Sequence, residues 1–104
     1  MLALLASAAF IPSPVAQAWK TCLDENTARY APMIEPAEAV ARVISKSCEE
    51  QANAVIAEAV ADVRAKNPGP WHEVQERAEE IMRPSMADAV LKKVMDYRLA
   101  HPRR

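Results

Sequence analysis

The chain has little glycine, few aromatic side chains and almost no net charge, and each scarcity excludes or disfavours a class of protein. Its 104 residues include a single glycine, Gly69, which excludes a glycine-rich phosphate loop and disfavours a sheet fold with many tight turns. Aromatic residues make up 5% of the chain, and the formal net charge is -1. Composition therefore provides no electrostatic footprint for nucleic acid, and it predicts one small all-α domain with a thin core of alanine and valine.

Charged residues are missing from the beginning of the chain, where the first one is Lys20. The uncharged segment Met1–Ile11 is too short to span a bilayer but has the length of a signal-peptide apolar region. Two prolines follow it, and Ala16-Gln17-Ala18 then matches the A-x-A pattern of a signal-peptidase site. The sequence thus predicts a signal peptide over residues 1–18 and a mature domain over residues 19–104, which is periplasmic or secreted and has no transmembrane segment.

Two features leave alternatives open for this leader. The positively charged start of a signal peptide is missing, so either the true start codon lies upstream or the leader is atypical. A buried N-terminal helix over residues 2–11 is the other interpretation, but a core helix normally carries a polar face, which this segment lacks.

The only two cysteines, Cys22 and Cys48, are predicted to form a disulfide bond in an exported chain. The midpoint between them falls inside a predicted turn, Ala31–Pro36, so the two residues should lie at similar heights on antiparallel helices. A bridge closing a loop of this length contributes about 3–4 kcal/mol on the chain-entropy model. A reactive thiol is the alternative, but there is no C-x-x-C motif and no histidine close in sequence to either cysteine.

Prolines and apolar periodicity divide the mature domain into helices at about 19–31, 36–66, 70–83 and 85–100. Each has apolar residues at three- and four-residue steps, among them the stripe Val40, Val43, Ile44, Cys48, Val55, Ile56, Val60 and Val63, the stripe Trp71, Val74, Ala78 and Ile81, and the stripe Met86, Val90, Val94 and Tyr97. Ser85–Asp88 resembles a capping box that opens the last helix, although a single helix kinked at Pro84 is equally compatible. The predicted fold is a small three- or four-helix bundle, or helical hairpin, with one interhelical disulfide.

Residues with catalytic or metal-binding chemistry are few. His72 and Glu76 lie four positions apart on a predicted helix with further carboxylates nearby, which makes them the candidate metal ligands. The second histidine of an H-E-x-x-H zinc motif is replaced by Glu76. No nucleophile–base spacing can be assigned, so we expect no enzyme activity and no cofactor.

These features together indicate an exported helical protein that acts by binding another protein, with a stress-related or chaperone-like role. The all-helical build, the single disulfide and Trp19 near the first cysteine resemble the small acid-stress chaperones of the periplasm. We expect a protein partner, and we expect a homodimer if the thin core leaves part of an apolar stripe uncovered. The alternative function is that of a periplasmic metal-binding protein that uses His72 with nearby carboxylates.

Overall fold

The computed structural model describes residues 13–66 and 69–102, and these residues fold into helices with no strand among them. The helices are α1 (Pro14–Tyr30), α2 (Ala37–Ser47), α3 (Glu49–Lys66) and α4 (Trp71–Ala100). The predicted all-α class is confirmed. The predicted leader segment Met1–Ile11 lies outside the described residues.

Helix α1 begins at Pro14 rather than at Trp19 because the preceding serine caps it. The Ser13 hydroxyl accepts a hydrogen bond from the Ala16 amide at 3.1 Å, and Pro14 occupies the first helical position, where a missing N–H costs nothing. The A-x-A motif, Ala16–Ala18, is therefore part of the helix in the folded chain.

The predicted single helix 36–66 is interrupted at Cys48. This residue has φ -106° and ψ 19°, outside the α-helical region, and it separates α2 from α3. The hydroxyl of the preceding residue, Ser47, donates to the Val43 carbonyl one turn earlier at 3.0 Å, a bond that competes with the helical ladder and bends helices. The ladder nevertheless continues through the interruption, since the Cys48 amide bonds Ile44 and the Ala52 amide bonds Cys48, both at 3.0 Å. Helices α2 and α3 thus form one irregular rod.

An ion pair crosses the same interruption on the exposed side. Lys46 Nζ of α2 lies 2.8 Å from a Glu49 carboxylate oxygen of α3. The hydrogen bond from Lys46, and then its charge, lower the pKa of the Glu49 carboxyl, and the same two interactions raise the pKa of Lys46.

Of the two alternatives left open at Pro84, a single helix or two helices with a capping box at Ser85–Asp88, the structure has the single helix. Helix α4 runs unbroken through Pro84. The proline cannot donate to the Glu80 carbonyl, but both residues are exposed, so water can replace the lost bond. The neighbouring Arg83 joins α4 to α3, because its Nη2 donates to Asn53 of α3 at 3.0 Å, and it also bonds Glu79 within α4 at 3.2 Å.

The three rods pack along one another with α2–α3 antiparallel to both neighbours. Contacts fix the direction of α4 relative to α1, since Lys93 pairs with Asp24, and Arg98 bonds Ala31 further along both helices. Buried residues from α1, α2, α4 and the α1–α2 turn form one core cluster of Leu23, Ala31, Val40, Ala41, Ile44, Cys48, Val90 and Val94. Thr27 is also buried, and its hydroxyl has no hydrogen-bond partner among the described residues, which costs on the order of 1–3 kcal/mol.

This cluster divides the molecule into two halves. We call the part around the cluster, which contains the α1–α2 turn, the turn half. The open half is residues 56–66 of α3 with residues 71–83 of α4. In the open half Ile56 and Val60 are buried, but several members of the predicted apolar stripes, namely Val63, Trp71 and Ile81, are exposed, as is Val43 in the turn half. Among the helices of the described residues, none is both long enough and apolar enough to cross a membrane.

Candidate functional site at the interhelical turn

The turn between α1 and α2 exposes two large apolar side chains. Met33 is 45% exposed and Ile34 is 87% exposed. Tight turns ordinarily use glycine, asparagine, aspartate or serine for conformational reasons, and a bulky aliphatic residue contributes nothing comparable to the turn itself. The exposure of two such residues in succession therefore calls for an explanation other than folding.

Arg98 of α4 holds the backbone of this turn in place. Its Nε donates to the carbonyl of Ala31 at 2.9 Å, and its Nη2 donates to the carbonyls of Met33 at 2.8 Å and Glu35 at 2.7 Å. These carbonyls lie between α1 and α2, outside either helix, and need partners from elsewhere in the chain. One guanidinium thus satisfies three acceptors and fixes the turn that presents Met33 and Ile34.

A shallow groove lies on the α2 side of the turn. Its volume is about 230 Å³, and the residues that line it are Tyr30, Met33, Glu35, Ala39, Val40 and Val43. We define the turn surface as Tyr30, Met33, Ile34, Ala39 and Val43. Glu35 is the one charged residue of the groove lining, so the groove combines an apolar floor with a single negative group.

A second concavity of about 490 Å³ lies on the α4 side of the same turn. Its walls are Ala31, Pro32, Met33, Ile34, Tyr97, Arg98 and His101. The Tyr97 and His101 rings are stacked with centroids 4.0 Å apart, and His101 Nδ1 lies 2.9 Å from the Tyr97 carbonyl. Met33 lines both concavities, so it forms the ridge between them.

The predicted juxtaposition of Cys22 and Cys48 is confirmed. Their sulfur atoms are 2.11 Å apart, a disulfide-bond distance, and their Cα atoms are 5.9 Å apart. Cys48 is fully buried, and Cys22 is half-buried. The Asn26 amide nitrogen donates to the Cys22 carbonyl at 2.8 Å and lies 3.5 Å from both sulfur atoms, so it covers the pair. The cysteine pair ties α1 to the α2–α3 junction.

The metal-ligand candidates, His72 and Glu76, are both exposed near the start of α4. The His72 ring contacts the Trp71 ring edge-on, with centroids 5.2 Å apart. Within residues 13–66 and 69–102, no group of three or more histidine, cysteine, aspartate or glutamate side chains is placed to hold a metal ion. The metal-binding alternative stays a prediction that depends on His72 and its neighbours in sequence.

Sequence reasoning did not find the turn surface or the role of Arg98. One signal was present, because the segment Ala31–Pro36 reads "APMIEP", with two bulky apolar residues between prolines where a turn was predicted. The bonds of Arg98 had no such signal, since they join α4 to the turn across more than sixty residues.

Comparison with protein-family models, with curated proteins and with solved structures finds no match.

Proposed function

We propose that the protein is an exported binding protein, periplasmic or secreted, whose turn surface holds an unfolded apolar segment of another exported protein. The observation that carries the proposal is the exposure of Met33 and Ile34 on a turn whose backbone is fastened by Arg98. Apolar patches that remain exposed on a soluble domain are commonly interaction sites. A patch held in place before binding loses little conformational entropy when the partner arrives.

Export is proposed from the uncharged segment Met1–Ile11, the A-x-A motif and the placement of Cys22 beside Cys48. Disulfide bonds persist in oxidising compartments, where unfolded exported chains are also met. The role is therefore chaperone-like binding without catalysis.

The chemistry of the groove restricts the segment that it can hold. The floor accepts aliphatic or aromatic side chains, and Glu35 at the groove favours a lysine or arginine next to them. Folded proteins bury such apolar segments, so the unfolded form of a partner should bind and the native form should not.

A direct test is fluorescence anisotropy of a labelled, permanently unfolded protein, reduced and carboxamidomethylated α-lactalbumin, titrated with the oxidised mature chain 19–104. Ile34→Asp should weaken binding at least tenfold because it places a charge on the turn surface. Ile81→Asp is the matched control, since Ile81 is also exposed but lies in the open half. It should leave binding unchanged, and native α-lactalbumin should not bind.

Equal loss in both variants, or equal binding of the native and unfolded forms, would contradict the proposal. A parallel titration with zinc addresses the alternative function. Stoichiometric uptake that is lost in His72→Ala, together with no binding of the unfolded chain, would favour a metal-binding protein instead.

A further inference from the structure

The predicted signal-peptidase bond, between Ala18 and Trp19, lies inside a helix of the folded chain. Helix α1 starts at Pro14, upstream of this bond, and continues to Tyr30 beyond it. The backbone at the bond is part of the helical ladder that begins with the Gln17 amide donating to the Ser13 carbonyl at 2.9 Å. A peptidase acts on peptide that has opened from such a ladder, so the folded arrangement competes with cleavage.

Contacts upstream of the bond hold this helical start on α3. The Ser13 hydroxyl caps α1 and also donates to a Glu58 carboxylate oxygen at 2.6 Å. A short stretch of α1 faces α3 across a concavity that is lined by Pro14, Val15, Ala18, Glu50, Gln51 and Ala54. The first turns of α1 are therefore fastened to a neighbour and are not a free helix end.

Contacts downstream of the bond hold it as well. Trp19 is half-buried and packs against the core cluster, and Cys22 lies less than one helical turn further on, at disulfide distance from Cys48. To bring the Ala18–Trp19 bond into an extended form, the chain must release Ser13 from Glu58 and lift Trp19 from the core while Cys22 stays anchored. Local opening of this kind has a free-energy cost that a loose helix terminus does not have.

We propose that folding shields the Ala18–Trp19 bond, so that the peptidase must cut before Cys22 pairs with Cys48. This inference rests on the export part of the proposed function. In the cut, water adds across the amide: the Ala18 carbonyl–Trp19 nitrogen bond breaks, Ala18 gains the hydroxyl oxygen as a carboxylate, and Trp19 becomes an ammonium group. A chain that folds first keeps the segment Ser13–Ala18 on α3.

The order of events also changes the mature surface. After cleavage α1 starts at Trp19 without its serine cap, and it carries a positive charge where the helix dipole disfavours one. The face of α3 at Gln51 and Ala54 loses its cover, whereas a chain that folds uncut retains it. The cleaved chain and the uncut chain would thus have different α3 faces.

The test incubates the full chain in detergent micelles with a purified bacterial type I signal peptidase and follows loss of residues 1–18 by mass spectrometry. The reduced chain should be cut at least tenfold faster than the oxidised chain. Glu58→Ala should speed cleavage of the oxidised chain severalfold, because it releases Ser13 without altering residues near the bond. Asp62→Ala is the matched control one turn further along α3, and it should match the wild-type rate.

Equal rates for oxidised and reduced chains, with cleavage after Ala18, would overturn the shielding while leaving the leader intact. Absence of cleavage in both forms would overturn the shielding and also the export part of the proposed function. The anisotropy assay of the turn surface does not depend on either result, so the two proposals can fail separately.

Discussion

The turn half and the open half are built from the same rods and the same kinds of residue, yet they bury them differently. Ile44 in the turn half is 0% exposed, whereas Ile81 in the open half is 63% exposed, although both belong to apolar helical stripes. Three rods meet around Ile44. Ser13, at the start of α1, contacts Glu58 of α3, and α1 then runs back towards the start of α3. Among the described residues, the part of α3 beyond Glu58 therefore has one neighbour, α4. A periodic stripe becomes a core only where enough rods converge on it.

The better packed half of the molecule, the turn half, is also the half that contains the candidate binding surface. The core cluster, the cysteine pair and the bonds of Arg98 all support the turn half. The open half has Ile56 and Val60 buried, with Arg83 bonding Asn53 at its edge. Regions with few buried apolar contacts open at low free-energy cost, so amide exchange should be faster in the open half.

The largest expected effect comes from breaking the cysteine pair. Reduction should lower the free energy of unfolding by about 3–4 kcal/mol, because the 26-residue separation between the cysteines is then unconstrained in the unfolded chain. Urea unfolding of the oxidised and reduced chains measures this loss. The double variant C22A/C48A should not respond to the reductant, and an unchanged midpoint in the wild-type chain would show that the pair stabilises nothing.

Substitution of one isoleucine in each half tests directly whether the two halves differ in packing. Ile44→Ala should cost about 3 kcal/mol, since it removes buried methyl groups and leaves a cavity, whereas Ile81→Ala should cost less than about 0.5 kcal/mol. Urea midpoints at equal slope give both values. Similar losses at the two positions would mean that the open half is as well packed as the turn half.

A smaller effect is expected from loosening the turn. Arg98→Lys keeps the charge but replaces a planar fork that reaches three carbonyls, so we expect a loss of about 1–2 kcal/mol. Arg83→Lys is the control in the open half, where an exposed arginine bonds two side chains, and it should cost less than about 0.5 kcal/mol. Thermal unfolding of the two variants distinguishes the outcomes, and a larger loss for Arg83→Lys would reverse the assignment of the halves.

The smallest effect concerns pH at the α2–α3 junction. Lys46 lowers the pKa of Glu49 in the folded chain, so the pair contributes stability above the unfolded glutamate pKa of about 4.3 and loses it as pH falls through the lower folded value. Glu49→Gln should therefore be slightly less stable than wild type at pH 7 and equal to it at pH 3. The effect is small because both side chains are exposed.

A variant of the neighbouring residue distinguishes the contribution of this ion pair to stability from that of the helix dipole. Glu50 lies in the same first turn of α3, so Glu50→Gln reports the dipole contribution without the partner lysine. The stability difference between wild type and Glu49→Gln should change more between pH 7 and pH 3 than the difference between wild type and Glu50→Gln. An equal or smaller change for Glu49→Gln would contradict a role for Lys46. Unfolding curves at the two pH values provide both comparisons.

Much of the fold was predictable from the positions of the prolines and of the two cysteines. Prolines mark the starts of α2 and α4, and the positions of Cys22 and Cys48 about a predicted turn indicate antiparallel helices, whereas the start of α1 at Pro14 was predicted too late, at Trp19. The sequence left open whether Pro84 ends a helix or lies within one, because the outcome depends on whether water reaches the carbonyl that loses its partner. The break at Cys48 lies beside a local bond between Ser47 and Val43, which periodicity does not reveal.

The candidate site was less accessible to sequence reasoning than the fold. Apolar periodicity assigns a side chain to a helical face but does not say whether a second helix covers that face, which is why Trp71 and Ile81 were expected in the core. The turn surface depends on a tertiary contact, the reach of Arg98 to Ala31, and such long-range bonds have no periodic signature.

The position of Arg98 makes the turn sensitive to events near the carboxyl end of α4. Its hydrogen bonds reach 67, 65 and 63 residues back along the chain. A carboxypeptidase that digested α4 past this arginine would unfasten a loop near the opposite end of the sequence without touching it. Limited digestion from that end would thus remove the hydrogen bonds that position Met33 and Ile34, although it cuts the chain far from both residues.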